Sequence, residues 1–449
     1  MQTTTTVAHA LTNPVSSPTA YTLHYRWYVF ALLWLVALLR FVDMQILAVL
    51  LEQIRAEFLL SDTQLALLGG LAFALFYGGL GLPVAWLADR CDRRAIIATA
   101  VTLWSLMTAL CGFASSFTML FLARIGVGIG EAGAYPPSTS LLADYFPPQQ
   151  RVRVYAMLGA AIPVGVFVGY LVGGTVSQVW GWRTAMLVVG VPGILLGLLV
   201  MLTVREPQRG VLDGQMTEQV APPFLSCLRS LASERSYRHV VAAACLFTLG
   251  ASGSGIWIAS YFIRHHGFSG AEIGAWLAFL YGGGGLCGAL AGGWCAERLS
   301  RHPGDMRGYA RLCCWSLLAT LPFVPLVFLN TSPYLALGLY LPVVIMMHMN
   351  IGPVLTLIQQ LAGPGRRAMA HAVSVLVSNV IALTLGPLCV GMFSDYFGPV
   401  LGTGSLGIAI TALLLLAWSW SAWHFNLAAR SNMPAQAASL SAASLRATL

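Results

Sequence analysis

The chain contains no lysine: all 24 of its basic residues are arginines, set against 16 acidic residues in a length of 449. Charged side chains make up 9% of the sequence, where a soluble domain carries about a quarter. That shortfall argues against a water-soluble enzyme or a disordered regulator, because so few charges cannot solvate a globule of this size. Lipid must cover much of the surface. A formal charge of +8 would suit a nucleic-acid partner, but the arginines fall in short clusters between apolar stretches. They form no stripe with interleaved aromatics, so no nucleic acid is expected. The nine cysteines make no CxxC pair and have no histidine at zinc-ligand spacing, so no metal or cofactor is expected. Ser252 and Ser405 lie in glycine-rich stretches without completing Gly-x-Ser-x-Gly, and the chain does not read as an enzyme. The first 25 residues hold no arginine and no apolar core, unlike a secretory signal.

Apolar residues, by contrast, make up 57% of the chain. A helix needs about 20 mostly apolar residues to cross a hydrocarbon core, because lipid cannot satisfy an open backbone. Twelve such runs can be counted, at 27–50, 63–88, 95–116, 117–145, 154–179, 183–204, 239–264, 272–296, 309–329, 333–361, 369–393 and 402–425. The one long polar stretch, Arg205 to Arg238, separates the sixth from the seventh. The expected fold is all-α integral membrane, with twelve transmembrane helices in two six-helix halves. The predicted divisions are a disordered cytoplasmic tail over 1–25, an N-terminal half over 26–204, a cytoplasmic linker over 205–238, a C-terminal half over 239–425 and a cytoplasmic tail over 426–449.

Short cytoplasmic loops collect positive charge. With a cytoplasmic N-terminus, that side holds all the arginine clusters, and the opposite face holds Arg55, Arg183 and Arg264. This pattern predicts a multi-pass protein of the cell inner (plasma) membrane with both termini cytoplasmic. The halves echo each other. Trp86-Leu-Ala-Asp-Arg90 recurs as Trp294-Cys-Ala-Glu-Arg298, and Pro137 to Arg151 recurs as Pro353 to Arg367, at offsets of 208 and 216. Two similar halves that start in the same orientation imply a pseudo-twofold axis along the membrane normal and a binding site between them. Alternating access fits that arrangement better than a channel, and a monomer is the simplest reading. Period-four stripes of Gly165, Gly169 and Gly173, and of Gly284, Gly288 and Gly292, suit either static packing or a sliding contact between the halves.

Four ionisable residues lie deep in apolar runs: Arg40 and Asp43 in the first, Arg124 and Glu131 in the fourth. Each costs about 2.5–3.5 kcal/mol if left facing lipid, so each should face an interior cavity and find a partner. Arg40 and Asp43 are helix-surface neighbours at i, i+3. Arg124 and Glu131 return to one face about 10.5 Å apart along the axis. The spacing therefore predicts one pair on each helix. Glu131 and Asp43 are the proton-coupling candidates, since opening a pair frees a carboxylate to load a proton. Arg124 and Arg40 are the substrate-binding candidates, their planar forks suiting phosphate or carboxylate. In the second half, Met347, His348 and Asn379 are the candidate substrate contacts. The neighbouring Met346 and Met349 add to a flexible apolar wall that would suit an amphiphile.

Twelve helices as six plus six, with Asp89, Arg90, Arg93 and Arg94 after the second, resemble the major facilitator superfamily; Ala85 and Asp92 stand where its loop signature usually has glycine. Within it, Phe41-Val-Asp43-Met44-Gln-Ile-Leu47, the run Arg124-Ile-Gly-Val-Gly-Ile-Gly-Glu131 through Ser140, and Asp144-Tyr-Phe-Pro-Pro148 resemble the spinster-type lipid transporters and their bacterial relatives. Met44 stands where that family commonly has arginine. The resemblance implies proton-linked movement of a lysophospholipid or sphingoid lipid; the alternative is a proton-linked carrier of small organic anions or hydrophobic drugs. Asp89, Arg90, Arg93, Arg94, Glu297 and Arg298 are then read as a gating latch tying the end of the second helix to the other half. The expected partners are a small-molecule or lipid substrate, protons and membrane lipids.

Overall fold

The computed structural model describes residues 21–88, 90–209, 212, 224–300, 306–362 and 366–431. Among these, ten helical stretches are long and apolar enough to cross a membrane. Two of them, of 56 and 62 residues, are roughly 80–90 Å long and cross twice. Each doubles back at a glycine with positive φ, Gly181 at 80° and Gly402 at 56°, a backbone region that side chains with a Cβ rarely enter. Twelve spans result. In chain order, α1 is Leu23–Phe58; α2 is Asp62–Ala66, a π turn at Leu67–Leu71 and Ala72–Ala88; α3 is Arg93–Cys111; and α4 is Phe117–Glu131 followed by Tyr135–Tyr145. Residues 148–180 and 182–203 form α5 and α6. In the second half, α7 is Arg235–Gly255 and Ile258–His266, and α8 is Gly270–Phe279, a π turn at Leu280–Gly284 and Gly285–Leu299. Met306–Thr320 and Phe323–Phe328 form α9, and Pro333–His348 and Ile351–Ala362 form α10. Arg367–Val377, a π turn at Ser378–Ala382 and Leu383–Leu401 form α11, and Ser405–Arg430 forms α12.

Helix starts follow local chemistry. Ser61, Asp92, Ser116 and Ser269 each accept a backbone N–H three residues on, which satisfies a donor that the helix leaves free. The first span runs two turns beyond the predicted end at residue 50, because its polar extension finds partners: Glu52 pairs with Arg264, and Glu57 with Arg183 and the Trp182 indole. At the other end, α12 continues to Arg430, five residues past the predicted boundary.

Both halves close in the same way on the face where the helical body begins and ends, here the terminal face. Tyr25 Oη donates to the Thr203 carbonyl at 2.8 Å, joining α1 to α6, and Ser236 Oγ lies 2.7 Å from Ser431 Oγ, joining α7 to α12. On the far face the halves lock together. Arg264 of α7 reaches Glu52 at 2.8 Å and Asp62 at 2.7 Å, while the Asp395 carboxylate of α11 accepts the backbone N–H groups of Asp62 and Thr63 at 2.9 and 2.7 Å. Asp395 thereby caps α2 from the opposite half.

The glycine stripes are not the sliding surface. Cβ atoms added at Gly165 and Gly169 would sit 2.7 and 2.9 Å from the Leu38 and Val42 carbonyls of α1, in the same half. Gly284 and Gly288 likewise face Leu341 and Ile345 of α10. The contact across the halves is made by glycines outside the stripes: a Cβ at Gly274 of α8 would lie 2.5 Å from the Tyr170 carbonyl of α5. Gly169→Val is expected to overpack α1 against α5 and remove about 1–3 kcal/mol of stability. A thermal melt of the purified protein checks this, and an unchanged midpoint would mean that the two helices part freely.

Candidate functional site

Two breaks in the helices prepare the centre of the molecule. In α4 the chain turns at residues 132–134, ahead of Pro136 and Pro137, which leaves Glu131 at the end of a half-helix. In α10 the turn at Met349 and Asn350 precedes Pro353. Half-helices of this kind mark binding sites at the midplane of carriers. By the repeat offset of 216, Arg124 and Glu131 of the first half correspond to Tyr340 and Met347 of the second. All four deep charges therefore lie on one side of the pseudo-axis.

Their pairing differs from the predicted one. Arg40 Nε bonds Glu131 Oε2 at 3.1 Å, and Arg124 Nη1 faces Asp43 Oδ2 at 3.7 Å. The reason is depth. Running antiparallel, α1 and α4 set Arg40 beside Glu131 and Asp43 toward Arg124, within reach of their side chains, whereas the two charges on α4 stand about 10.5 Å apart along the axis. Cross-helix partners win over partners on the same helix. All four side chains are at least nine-tenths buried. Arg40 also donates to Tyr77 Oη at 2.5 Å, its guanidinium 4.9 Å from that ring's centroid. Thr108 Oγ1 donates to Asp43 Oδ1 at 2.8 Å.

Beside this network lies a cavity of about 190 Å³. Arg124 enters its wall together with Gln45, Tyr170, Tyr281 and Met347. Gly69 in the π turn of α2 and Tyr281 in that of α8 line it, as does Leu383 next to the π turn of α11. Such π insertions gather at functional sites. Two nitrogens of Arg124, Nε and Nη1, are buried without a hydrogen bond. Buried donors normally find an acceptor; Nη1 faces Asp43 at 3.7 Å, beyond hydrogen-bond range, so this cavity-lining guanidinium has donors still to satisfy. Opposite them, Tyr170 stacks on Tyr281 across the halves at 5.6 Å, and Tyr281 Oη meets Tyr340 Oη at 2.7 Å. Sequence reading passed over these tyrosines, although the repeat offset from Arg124 leads directly to Tyr340.

Arg124 and Met347 are thus brought to the cavity, and the other candidate contacts are not. Arg40, Asp43 and Glu131 stand behind its wall. His348 packs between α8 and α10, its Nδ1 2.8 Å from the Val344 carbonyl. Asn379 lies against Gly78, where α2 meets α11.

Arg93 and Arg94 of the predicted latch turn back into their own half. Arg93 is buried and bonds Asp144 at 2.6 Å and Glu206 at 2.7 Å, and the Arg94 backbone N–H donates to Glu206. These bonds clamp the end of α4 and the start of the linker onto α3, because the two carboxylates lie within reach of its first turn. Partial burial would raise the Asp92 carboxyl, yet the Ala95 N–H and the Arg94 guanidinium hold it below the usual carboxylate range. This cap on α3 therefore persists until the pH falls below that range. Arg90 is exposed, and Asp89 lies outside the described residues. In the second half Glu297 is exposed, and Arg298 stacks on Trp294 of its own helix at 3.8 Å.

The sequence matches the profile of the Major Facilitator Superfamily over residues 33–387. It is 32% identical over 392 residues to an MFS-type efflux pump of Mycolicibacterium smegmatis, a match covering 87% of this chain and 89% of that protein. With a sphingosine-1-phosphate transporter of Danio rerio it shares 27% identity, over 80% of this chain and 74% of the other. A solved structure of a bacterial homologue of the human lysosomal transporter Spinster, inward-facing and unoccupied, matches with a TM-score of 0.81 at 27% identity, covering 91% of this chain and 98% of that one.

Proposed function

Given that the chain belongs to the major facilitator superfamily and is a spinster-type transporter of the membrane, we propose that it is a proton-coupled carrier working by alternating access on an amphiphile with an anionic head group, such as a lysophospholipid or sphingoid lipid. The observation that carries this reading is Arg124, which lines the cavity with its Nε and Nη1 free of hydrogen bonds, its ion-pair partner Asp43 standing 3.7 Å from Nη1. A phosphate or carboxylate seated there competes with Asp43 for the guanidinium, since Arg binds such groups in two places and stays charged. Losing part of its counter-ion, Asp43 then takes up a proton more readily, and Glu131 does the same when Arg40 moves. In this scheme substrate and proton arrive together because they share the arginines. Arg40, behind Glu131 and Tyr77, joins substrate binding only after releasing Glu131.

The apolar wall fits one part of the ligand. Tyr281 and Met347 of the second half share the cavity wall with Arg124 of the first, so the head group lies toward the first half and the chain toward the second. A cavity of about 190 Å³ is smaller than the roughly 300–1,000 Å³ of sites that enclose a drug-sized ligand, so the tail of a lipid must leave between helices. The same volume, with an efflux pump among the relatives, favours as a second reading a proton-linked carrier of small organic anions or hydrophobic drugs. Positive charge on the terminal face supports a plasma-membrane protein with both termini cytoplasmic. On that topology the far-face lock supports an inward-facing state. The halves 26–204 and 239–425 with the linker 205–238 are kept as the working divisions, and a monomer as the assembly.

The test is transport in liposomes loaded with a pH dye, under an imposed pH gradient, with a panel of lysolipids and small organic anions. Lysolipid-triggered proton flux, reduced at least tenfold in Arg124→Gln, is the expected result. Flux triggered by small anions alone would replace the substrate class, and flux indifferent to Arg124→Gln would overturn the site.

A further inference from the structure

The terminal-face ends of α7 and α12 carry a cluster of charge that the carrier mechanism does not use. The bond between Ser236 and Ser431 seats these two ends side by side, with Arg235 and Arg430 the adjoining residues. One turn further in on α7 and two turns on α12, His239 Nδ1 lies 2.9 Å from His424 Nδ1. Arg235, Arg238 and His239, at i, i+3 and i+4, share one face of α7, and both arginines are close enough to act electrostatically on the His239 ring. Other arginines of this chain are paired: Arg93 with Asp144 and Glu206, Arg264 with Glu52 and Asp62. Arg235, Arg238 and Arg430 are exposed, and among the described residues none of the three guanidinium groups has a partner. Glu234 is the one carboxylate in these turns, so the cluster keeps an excess of positive charge.

The same end of α12 presents Trp420 and Trp423, 56% and 53% exposed, with ring centroids 6.2 and 5.0 Å from that of His424. Exposed tryptophans in the closing turns of a span sit at the head-group level of a bilayer. Arginine forks match phosphate oxygens. Whichever histidine accepts the Nδ1 bond carries its own proton on Nε2, so the pair always keeps a further donor.

We propose that the terminal-face end of the α7/α12 pair is a binding site for an anionic phospholipid of the surrounding leaflet. Arg235, Arg238 and Arg430 hold its phosphate over the His239–His424 pair, and its chains run along Trp420 and Trp423. The site is separate from the central cavity and independent of what that cavity carries.

The test is native mass spectrometry of the full-length protein in a mild non-ionic detergent, titrated with phosphatidylglycerol and with phosphatidylcholine. Phosphatidylglycerol should be retained in preference. Each basic side chain near an anionic surface contributes roughly fivefold, so Arg235→Gln with Arg238→Gln should weaken retention about 25-fold, and Arg430→Gln alone about fivefold. Arg153→Gln, an exposed arginine of α5 in the other half, should change nothing. An unchanged thermal midpoint in the variants, whose altered side chains are exposed, separates loss of binding from loss of fold. Equal retention of the two lipids, or an equal loss in Arg153→Gln, would overturn the proposal. So would unchanged lipid retention combined with lost binding of a soluble polyglutamate peptide, which would assign the cluster to an acidic protein.

Discussion

Glu131→Gln is expected to abolish proton-driven transport, by at least a hundredfold, while gradient-free exchange of substrate across the liposome membrane persists. Glutamine keeps the volume of glutamate and an oxygen that can accept from Arg40 Nε, so the 3.1 Å contact survives as a hydrogen bond. What is lost is the site that loads and releases a proton. Gln leaves Arg40 with the Tyr77 hydroxyl and ring but without a counter-charge. Glu131→Ala goes further and removes the acceptor altogether. Breaking a buried pair by removing one partner costs about 3–5 kcal/mol, so the alanine variant should also melt earlier, which the glutamine variant should largely avoid. The paired measurements are internal pH by dye and counterflow with labelled substrate. Loss of both in Glu131→Gln would mean that the glutamate shapes the site instead of carrying protons. Retention of both would move the coupling to Asp43.

Arg264→Ala is expected to open the far face. Its guanidinium is the cation that two carboxylates of the other half, Glu52 and Asp62, close upon at 2.7–2.8 Å. With the side chain gone, Arg55 remains near both, at 3.9 and 3.7 Å, but it belongs to their half and ties nothing across. Hydrogen bonds to charged groups contribute about 1.5–3 kcal/mol each. Losing this set should therefore shift the balance of open and closed far face by roughly 2–4 kcal/mol, or about 30- to 1,000-fold. Spin labels at Leu59 and Val400, exposed at the far ends of α1 and α11, read the change as a longer distance between the halves. An unaltered distance would leave the Asp395 cap on α2 as the sufficient lock, and Arg264 as a bystander.

What was legible in the chain follows the cost of putting a group in lipid. Twelve spans could be counted because lipid forces helices of a set length, and Arg40, Asp43, Arg124 and Glu131 stood out because charge there is rare. Their partners were not legible. A single sequence ranks neighbours by spacing along one helix, whereas the pairing depends on two antiparallel helices meeting at the same depth. Tyr170, Tyr281 and Tyr340 carry no such cost and so did not stand out. Arg264 read only as the end of the seventh run on the far face, since nothing in its neighbourhood names Glu52, 212 positions away. The glycine stripes were visible, but which helix each one meets is a property of the packing. Gly174 and Gly274, which do meet across the halves, fall outside both stripes.

The position that holds Arg124 in one repeat holds Tyr340 in the other, and Glu131 is matched by Met347. A duplicated scaffold has thus kept its ionic chemistry in a single copy. The consequence is evolutionary: the second copy is free to drift in the size and shape of its wall without disturbing the charges that would drive the cycle. Changes to residues of α8 and α10 would then reshape the wall while leaving the charges of α1 and α4 in place.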